Sequence, residues 1–255
     1  MVKKISILPI GSGSSGNCSL LCIGEYKILV DAGLSTKRIR ETLNKNGVNL
    51  EDLDAIFITH THSDHIGGLK VLVKHINAKV YATKTTLTHL KLDTDNSLKY
   101  KNRTEILPGL FVTAHKTSHD CSGSACYIFE CGNTKVSYVT DLGYVTNSIG
   151  KDMIGSDLVL IESNHDIERL KKGPYPYMLK ERILSDNGHL SNADCAYTIK
   201  KLYEYGTRHF LLAHLSKENN LPELALNEVG KYELDADIRV LKDFSDEILK
   251  YELED

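Results

Sequence analysis

The sequence predicts an α+β fold, with two β-sheets sandwiched between helices. Strand-like runs crowd the early part of the chain, and further on they alternate with segments of helical spacing. The composition is that of an ordinary globular protein: 255 residues, 41% hydrophobic and 25% charged. That length suffices for one large layered domain or two small ones.

The elements follow in order. Residues 3–9 (KKISILP) read as a strand and 11–17 as a Gly/Ser loop. Residues 19–23 and 26–30 are strands joined as a hairpin around Gly24-Glu25. Residues 35–44 carry helical spacing behind a Ser35 N-cap. Residues 55–59 form a buried strand. Residues 66–76 read as one helix, with Leu69, Leu72, Val73 and Ile76 on one face. A short strand at 79–82 and a helix at 85–92 come next. Strands at 110–114, 125–130 and 135–140 follow, the last two joined by residues 131–134. Residues 157–161 are another apolar strand, and 171–177 (KKGPYPY) a Pro-containing loop or short arm. Then come a helix at 193–205, a strand at 208–213, a helix at 221–232 and a last strand at 238–241. No internal repeat or low-complexity tract is present.

One motif misleads. Gly11-Ser12-Gly13-Ser14-Ser15-Gly16 fits GxGxxG, and Asp31 lies about 20 residues on, as in a dinucleotide-binding fingerprint. That fingerprint needs a helix after the glycines, so that the pyrophosphate meets a helix N-terminus. Residues 18–30 read instead as two strands, which argues against nicotinamide or flavin binding. A hairpin loop needing glycine torsions is the simpler reading. Its N–H groups could also face a substrate phosphate.

The most informative stretch is His60-Thr61-His62-Ser63-Asp64-His65, directly after the apolar run Ala55-Ile56-Phe57-Ile58. Imidazole and carboxylate together suit borderline divalent metals such as Zn, Mn or Fe(II). His60 and His62 alternate and can reach one metal. Asp64 and His65, round the turn, can reach a second. The competing reading is a solvated strand-to-helix turn that happens to be rich in histidine. Three more ligand-type residues at strand ends argue against it: His119, Asp141 and His214. Strand ends are where a rigid scaffold presents function. A two-metal site then assembles. His60, His62 and His119 would hold one ion, Asp64, His65 and His214 the other, and Asp141 would bridge them.

At this point the chain resembles the metallo-β-lactamase superfamily. HTHSDH at 60–65, His119, Asp141, His214 and the earlier Val30-Asp31-Ala32-Gly33 carry the resemblance, in order and spacing, over most of the chain. It implies an αββα four-layer sandwich, a single hydrolase domain over residues 1–255, and a dinuclear site at one edge of the two sheets. It also implies that Asp31 orients the metal loop from behind the ligands. The plain alternative for Asp31 is a turn-forming residue at a strand end.

The C-terminal part narrows the branch. Gly188-His189-Leu190-Ser191-Asn192, then a helix, a strand and Ala213-His214-Leu215-Ser216, resembles the ribonuclease Z and phosphodiesterase branch. There the His of such an element is a proton donor and not a primary ligand. GSGSSGNC at 11–18, ESNHD at 162–166, GPYP at 173–176 and HLSN at 189–192 together resemble the bacterial YycJ family, also called WalJ or VicX. This resemblance covers nearly the full length. It implies a cytoplasmic metal-dependent nuclease or phosphodiesterase, with 5′-to-3′ exonuclease action on DNA. Only 47 residues (142–188) separate Asp141 from His189, which leaves no space for a β-CASP domain. No long exosite arm of the tRNA-processing type is evident, so pre-tRNA processing is disfavoured.

The expected chemistry follows. Two cations a few ångströms apart lower the pKa of a bridging water and give hydroxide near neutral pH, which attacks phosphorus in line. Asp64 belongs to this catalytic set as well as to the ligands. His189 is the candidate general acid for the leaving alkoxide, because imidazole titrates near the working pH. Glu162 or His165 would orient it. The plain alternatives are a surface carboxylate after a strand for Glu162, and packing ahead of the helix at 193 for His189.

Charge and cysteine content bound the rest. Net charge is -3. From Lys70 to Lys116 nine Lys/Arg face Asp93, Asp95 and Glu105, a balance of +6 (9 − 3). From Leu221 to Asp255 eleven Asp/Glu face four Lys/Arg, or −7 (4 − 11). Each is either a solvated face or, for the basic segment, a surface that attracts a polyanion such as DNA. No run approaches the ~20 apolar residues of a membrane span. The apolar stretch Ile5 to Ile10 is too short for a signal peptide. Six cysteines without framework spacing point to free thiols and a cytoplasmic location. Two other functions compete. One is hydrolysis of a small thioester, lactone, lactam or cyclic phosphodiester by the same metal pair. The other is a metal-dependent regulatory or scaffold role, which would not require seven ligands with an open site. A flavodiiron-type redox role is disfavoured, since no flavin domain is attached.

Overall fold

A computed structural model describes residues 3–253. The first sheet holds β1 (Lys3–Gly11), β2 (Cys18–Ile23), β3 (Tyr26–Val30), β4 (Ala55–Phe57), β5 (Lys79–Thr83) and β6 (Ser97–Leu98). The second holds β7 (Arg103–Leu107), β8 (Leu110–Lys116), β9 (Ala125–Cys131), β10 (Thr134–Val139), β11 (Leu158–Glu162), β12 (His209–Ala213) and β13 (Asp237–Val240). The chain then returns, and β14 (Leu249–Leu253) closes the first sheet beside β1.

The two sheets share one plan. In the orders β14-β1-β2-β3-β4-β5-β6 and β7-β8-β9-β10-β11-β12-β13, the first three pairings are antiparallel and the last three parallel. Parallel neighbours end on the same edge. Val30 therefore pairs with Phe57 in one sheet, and in the other Val139 pairs with Ile161 and Glu162 with Ala213. The residues just beyond these strands meet at that edge.

Helices cover both outer faces. Over the first sheet lie α1 (Thr36–Lys45), α2 (Ser63–Ile66), α3 (Leu69–Leu72) and α4 (Lys84–Leu90). With the second sheet come α5 (Asn147–Met153), α6 (Ile167–Lys172), α7 (Tyr177–Leu184), α8 (Asn192–Glu204) and α9 (Pro222–Gly230). Apolar packing follows the same layers. Ile7, Leu21, Phe57, Tyr127, Phe129 and Leu211 fill the space between the sheets, where Phe57 stacks on Tyr81 at 5.3 Å and meets Phe129 edge-on at 5.1 Å. Leu29, Ile39, Leu43 and Leu72 pack outside the first sheet, and Val159, Ile199, Leu202 and Val229 outside the second. Inner strands are thus buried on both faces, so they read as unbroken apolar runs and not as alternation.

Three expectations need correction. The helix read over 66–76 is a single turn, α3, preceded by a separate turn, α2, that ends at Ile66. Backbone stitching breaks it: Asn17 N donates to Asp64 O at 2.7 Å, Ala32 N to His65 O at 2.8 Å, and Gly68 N to Ala32 O at 2.8 Å. A Cβ on Gly68 would lie 1.9 Å from the Leu34 carbonyl oxygen, so the pieces can lie this close to residues 32–34 only with glycine there. Next, the loop read at 171–177 is shorter than expected, a link at 173–176 between α6 and α7, and neither flanking helix is anticipated by the sequence. Elements of six to eight residues, such as α5, α6 and α7, give too few turns for periodicity to register. Finally, β14 lies in the acidic tail, where charge hid its pattern; Tyr251 is buried while Lys250 and Glu252 are exposed. The Gly/Ser loop joins antiparallel β1 and β2, the hairpin-type context expected of it.

Candidate metal centre

Short-range geometry brings the predicted residues to one edge. β4 ends at Phe57, and the next three residues are pinned from several sides. Ile58 N donates to Tyr81 O at 3.0 Å, Tyr127 Oη to Ile58 O at 2.6 Å, and Ala125 N to Thr59 O at 2.9 Å. Buried Asp31 accepts from Thr59 N at 2.8 Å and from His65 Nδ1 at 2.8 Å. His60 therefore leaves a strand end fixed by both sheets.

Potential ligand atoms form overlapping groups, two of which match the expected pair of sites. Those of His60, His62 and His119 lie within 4.8 Å of one another, and so do those of Asp64, His65 and His214. Asp141 stands between. Its Oδ1 is 4.0 Å from His119 Nε2 and 3.6 Å from His214 Nε2, and its Oδ2 is 3.6 Å from His65 Nε2. Three of the imidazoles are turned by a partner on the far side. His65 Nδ1 donates to Asp31, His214 Nδ1 to Glu162 Oε1 at 2.8 Å, and His119 Nδ1 to Gly188 O at 3.2 Å. These bonds orient the rings and point each of these Nε2 atoms at the centre.

Backbone strain gathers at the same place. Asp31, Asp141 and His214 each follow a strand end with φ of 61°, 59° and 58°, the left-handed region. Such residues cost of order 1–3 kcal/mol each and persist where the surroundings over-determine them.

Donor chemistry fits a divalent metal. His60 Nε2, His214 Nε2 and Asp141 Oδ2 are buried without a hydrogen-bond partner. Buried polar atoms are normally satisfied. Unpartnered nitrogen and oxygen atoms of borderline and hard type, converging on one point, are what cation ligands require.

Residues 11–166 match the metallo-β-lactamase superfamily. The chain belongs to that superfamily. Over 228 residues, 87% of this chain and 86% of the relative, it is 37% identical to an exodeoxyribonuclease YycJ of Bacillus anthracis. Over 249 residues, 94% of this chain and 92% of the relative, it is 39% identical to an exodeoxyribonuclease WalJ of Streptococcus pneumoniae. The metallo-β-lactamase-fold protein YhfI of Bacillus subtilis has the same fold, with a TM-score of 0.73 at 18% identity over 97% of this chain and 100% of that one.

The superfamily member has a cleft of about 240 Å³ over the imidazoles, and His189 lies in its wall. His189 Nδ1 is 2.7 Å from Glu162 Oε1. Glu162 is not a surface carboxylate: it is fully buried at the end of β11, and its Oε2 also accepts from Leu142 N at 3.0 Å. His165 does not share the orienting role, for neither of its ring nitrogens has a hydrogen-bond partner.

Charge sets the protonation pattern. Burial pushes His60 well down, which leaves its ring neutral. Burial also works against protonated His65 and His214, but the Asp141 charge, with Asp31 and Glu162 respectively, outweighs it and raises them to about 9 and about 10. Glu162 resists its own burial and falls to about 2 because His189 and His214 bond to it.

Several residues at the site escape the sequence. Asn17 Nδ2 lies 3.2 Å from Asp64 Oδ2 and 2.9 Å from His65 Nε2. The sequence suggests glycine torsions or phosphate-facing N–H groups for its loop, not a side chain that reaches the candidate ligands. Ser12 Oγ accepts from His214 N at 2.9 Å. Asp120, next to His119, has Oδ1 at 3.5 Å from His119 Nε2 and 3.7 Å from His62 Nε2. Its adjacency to a candidate ligand was the available signal. Nothing in the sequence marks Arg182, which also lines the cleft.

Proposed function

We propose that this chain is a metal-dependent nuclease that removes nucleotides from DNA, acting as a 5′-to-3′ exonuclease. The carrying observation is its 37–39% identity, over most of its length, to relatives named exodeoxyribonucleases. The geometry agrees with that reading. His60, His62 and His119 would hold one divalent ion, Asp64, His65 and His214 a second, with Asp141 between them; Zn, Mn and Fe all suit the donors. When bound, such cations acidify water and stabilise charge on phosphoryl oxygens.

The chain's own residues do the rest. Asp31, Glu162 and the Gly188 carbonyl hold three imidazoles in one tautomer. His189, held by Glu162, gives a proton to the departing alkoxide. A DNA leaving group is a poor one, so this proton matters more here than for an activated ester. We place the enzyme in the cytoplasm as a single hydrolase domain.

The test is degradation of 5′-phosphorylated duplex, gapped duplex and single-stranded RNA with Mn, with Zn and without metal. An Asp64→Ala/His65→Ala protein serves as the contamination control. Metal-dependent loss of DNA from the 5′ end, absent in the variant, supports the reading. Intact polymers beside turnover of a small thioester or lactone overturn it.

A further inference from the structure

We propose that Arg182 is a phosphate clamp, binding a non-bridging oxygen of the substrate phosphodiester and selecting anionic over neutral substrates. This rests on the nuclease reading and names how the same cleft recognises its substrate. Apart from histidines, Arg182 is the one basic side chain among the described residues that line the cleft, which also presents Asp64, Asp120 and Asp141. An anionic substrate approaching three carboxylates needs a compensating cation on the protein side as well as at the metals.

The guanidinium is held where it can serve. Arg182 Nη2 forms an ion pair with Asp120 Oδ2, and the other oxygen of that carboxylate lies 3.5 Å from His119 Nε2. Arg182 thus stands one carboxylate away from the imidazole cluster. Its side chain is 57% exposed, so a ligand can reach it. A guanidinium carries five N–H donors and can hold Asp120 and a phosphoryl oxygen together.

Its backbone is locked to the wall that carries His189. His189 N donates to Ile183 O at 3.1 Å. Gly188 lies so close that a Cβ there would come within 2.4 Å of the Arg182 carbonyl oxygen. The same Gly188 accepts from His119. The positively charged group, the proton donor and a candidate ligand therefore keep a fixed relation. An exposed ion pair adds little to stability, so a purely structural role explains this placement poorly.

The experiment compares binding of two short oligonucleotides to the metal-loaded protein. One carries a cleavage-resistant phosphorothioate at the terminal linkage, the other an uncharged methylphosphonate. Wild type should prefer the charged linkage. Arg182→Ala should lose about tenfold in affinity for the charged oligonucleotide only, the scale of one charged hydrogen bond, and Arg182→Lys should recover part of it. Undiminished discrimination in Arg182→Ala overturns the clamp, as does a wild type that shows no preference. Turnover of the unmodified oligonucleotide by wild type reports separately on the nuclease reading. Cleavage with undiminished discrimination in Arg182→Ala sinks the clamp alone; charge-selective binding without cleavage sinks the nuclease reading alone.

Discussion

Glu162 Oε1 lies 2.7 Å from Nδ1 of His189, and the same oxygen lies 2.8 Å from Nδ1 of His214. One buried carboxylate oxygen thus orients the candidate proton donor and a candidate metal ligand at once. The two roles are mechanically linked. Glu162→Gln removes the charge that fixes both tautomers. We expect metal affinity to fall about 10–100-fold, the usual effect of losing a ligand's outer partner, together with a fall in kcat. Competition titration with a chelator and steady-state kinetics check this. Wild-type values for both quantities would mean that Glu162 is only a structural group.

His189→Ala should keep its metals and lose about 10²–10⁴ in kcat on DNA. The loss should shrink on a 4-nitrophenyl phosphodiester, whose leaving group departs without a proton. Metal analysis decides the alternative. The potential ligand atoms of His189, Asp141, Glu162 and His214 lie within 4.8 Å of one another, so metal lost from His189→Ala would make His189 a ligand.

The metal-free protein should bind protons where the metals go. His65 and His214 are raised to about 9 and about 10, above the ordinary value of about 6.5. Such a group stabilises the fold fully below pH ~6.5, and that contribution fades as pH climbs through 9 and 10. We expect the Tm of the metal-free protein to fall from neutral pH to pH 10. Metal must displace these protons, so affinity should rise with pH over the same window. Calorimetric titration in two buffers of different ionisation enthalpy counts the protons released. No release at pH 7 would show that both rings are already neutral.

The sequence made the site more legible than its supports. His60, His62, Asp64 and His65 sit in one contiguous run, Asp141 and His214 stand where apolar runs stop, and His119 follows a few residues after one. Strand ends are readable from hydrophobicity, and ligand chemistry from residue type. The partners that set ligand orientation are different. Asn17 reaches a residue 47 positions away, and Ser12 one 202 positions away. No local pattern encodes such pairings; they exist only once both sheets have packed. The same holds for β14, whose pairing with β1 joins the two ends of the chain.

Gly33 gives a stability prediction on the same grounds. A Cβ there would sit 1.6 Å from the Asp64 carbonyl oxygen. That neighbour is backbone, tied to Asn17 N at 2.7 Å, and cannot move without moving the metal loop. Gly33→Ala should destabilise by about 3 kcal/mol or more, in the range of severe overpacking and strain. Chemical denaturation measures it. A loss under about 1 kcal/mol, with metal affinity intact, would show that the loop is softer than this contact requires.

The last prediction concerns the basic segment. All nine Lys/Arg from Lys70 to Lys116 are exposed, but they do not form one surface. Lys79 opens β5 opposite Ala55, at the end of the sheet away from His60. Lys84 follows the other end of β5, and Lys116 ends β8 three residues before His119. Of these three, Lys84 and Lys116 stand on the edge from which the site residues emerge. Each phosphate contact on duplex DNA contributes about −0.9 to the slope of log affinity against log salt. Activity on long duplex should therefore fall steeply with salt, while a small phosphodiester is hardly affected. Lys84→Ala/Lys116→Ala should flatten the slope by about 1–2, and Lys79→Ala should leave it unchanged. An equal salt response for both substrates would remove the segment from DNA binding. A flattened slope in Lys79→Ala would place the DNA track on the wrong edge of the sheet for this cleft.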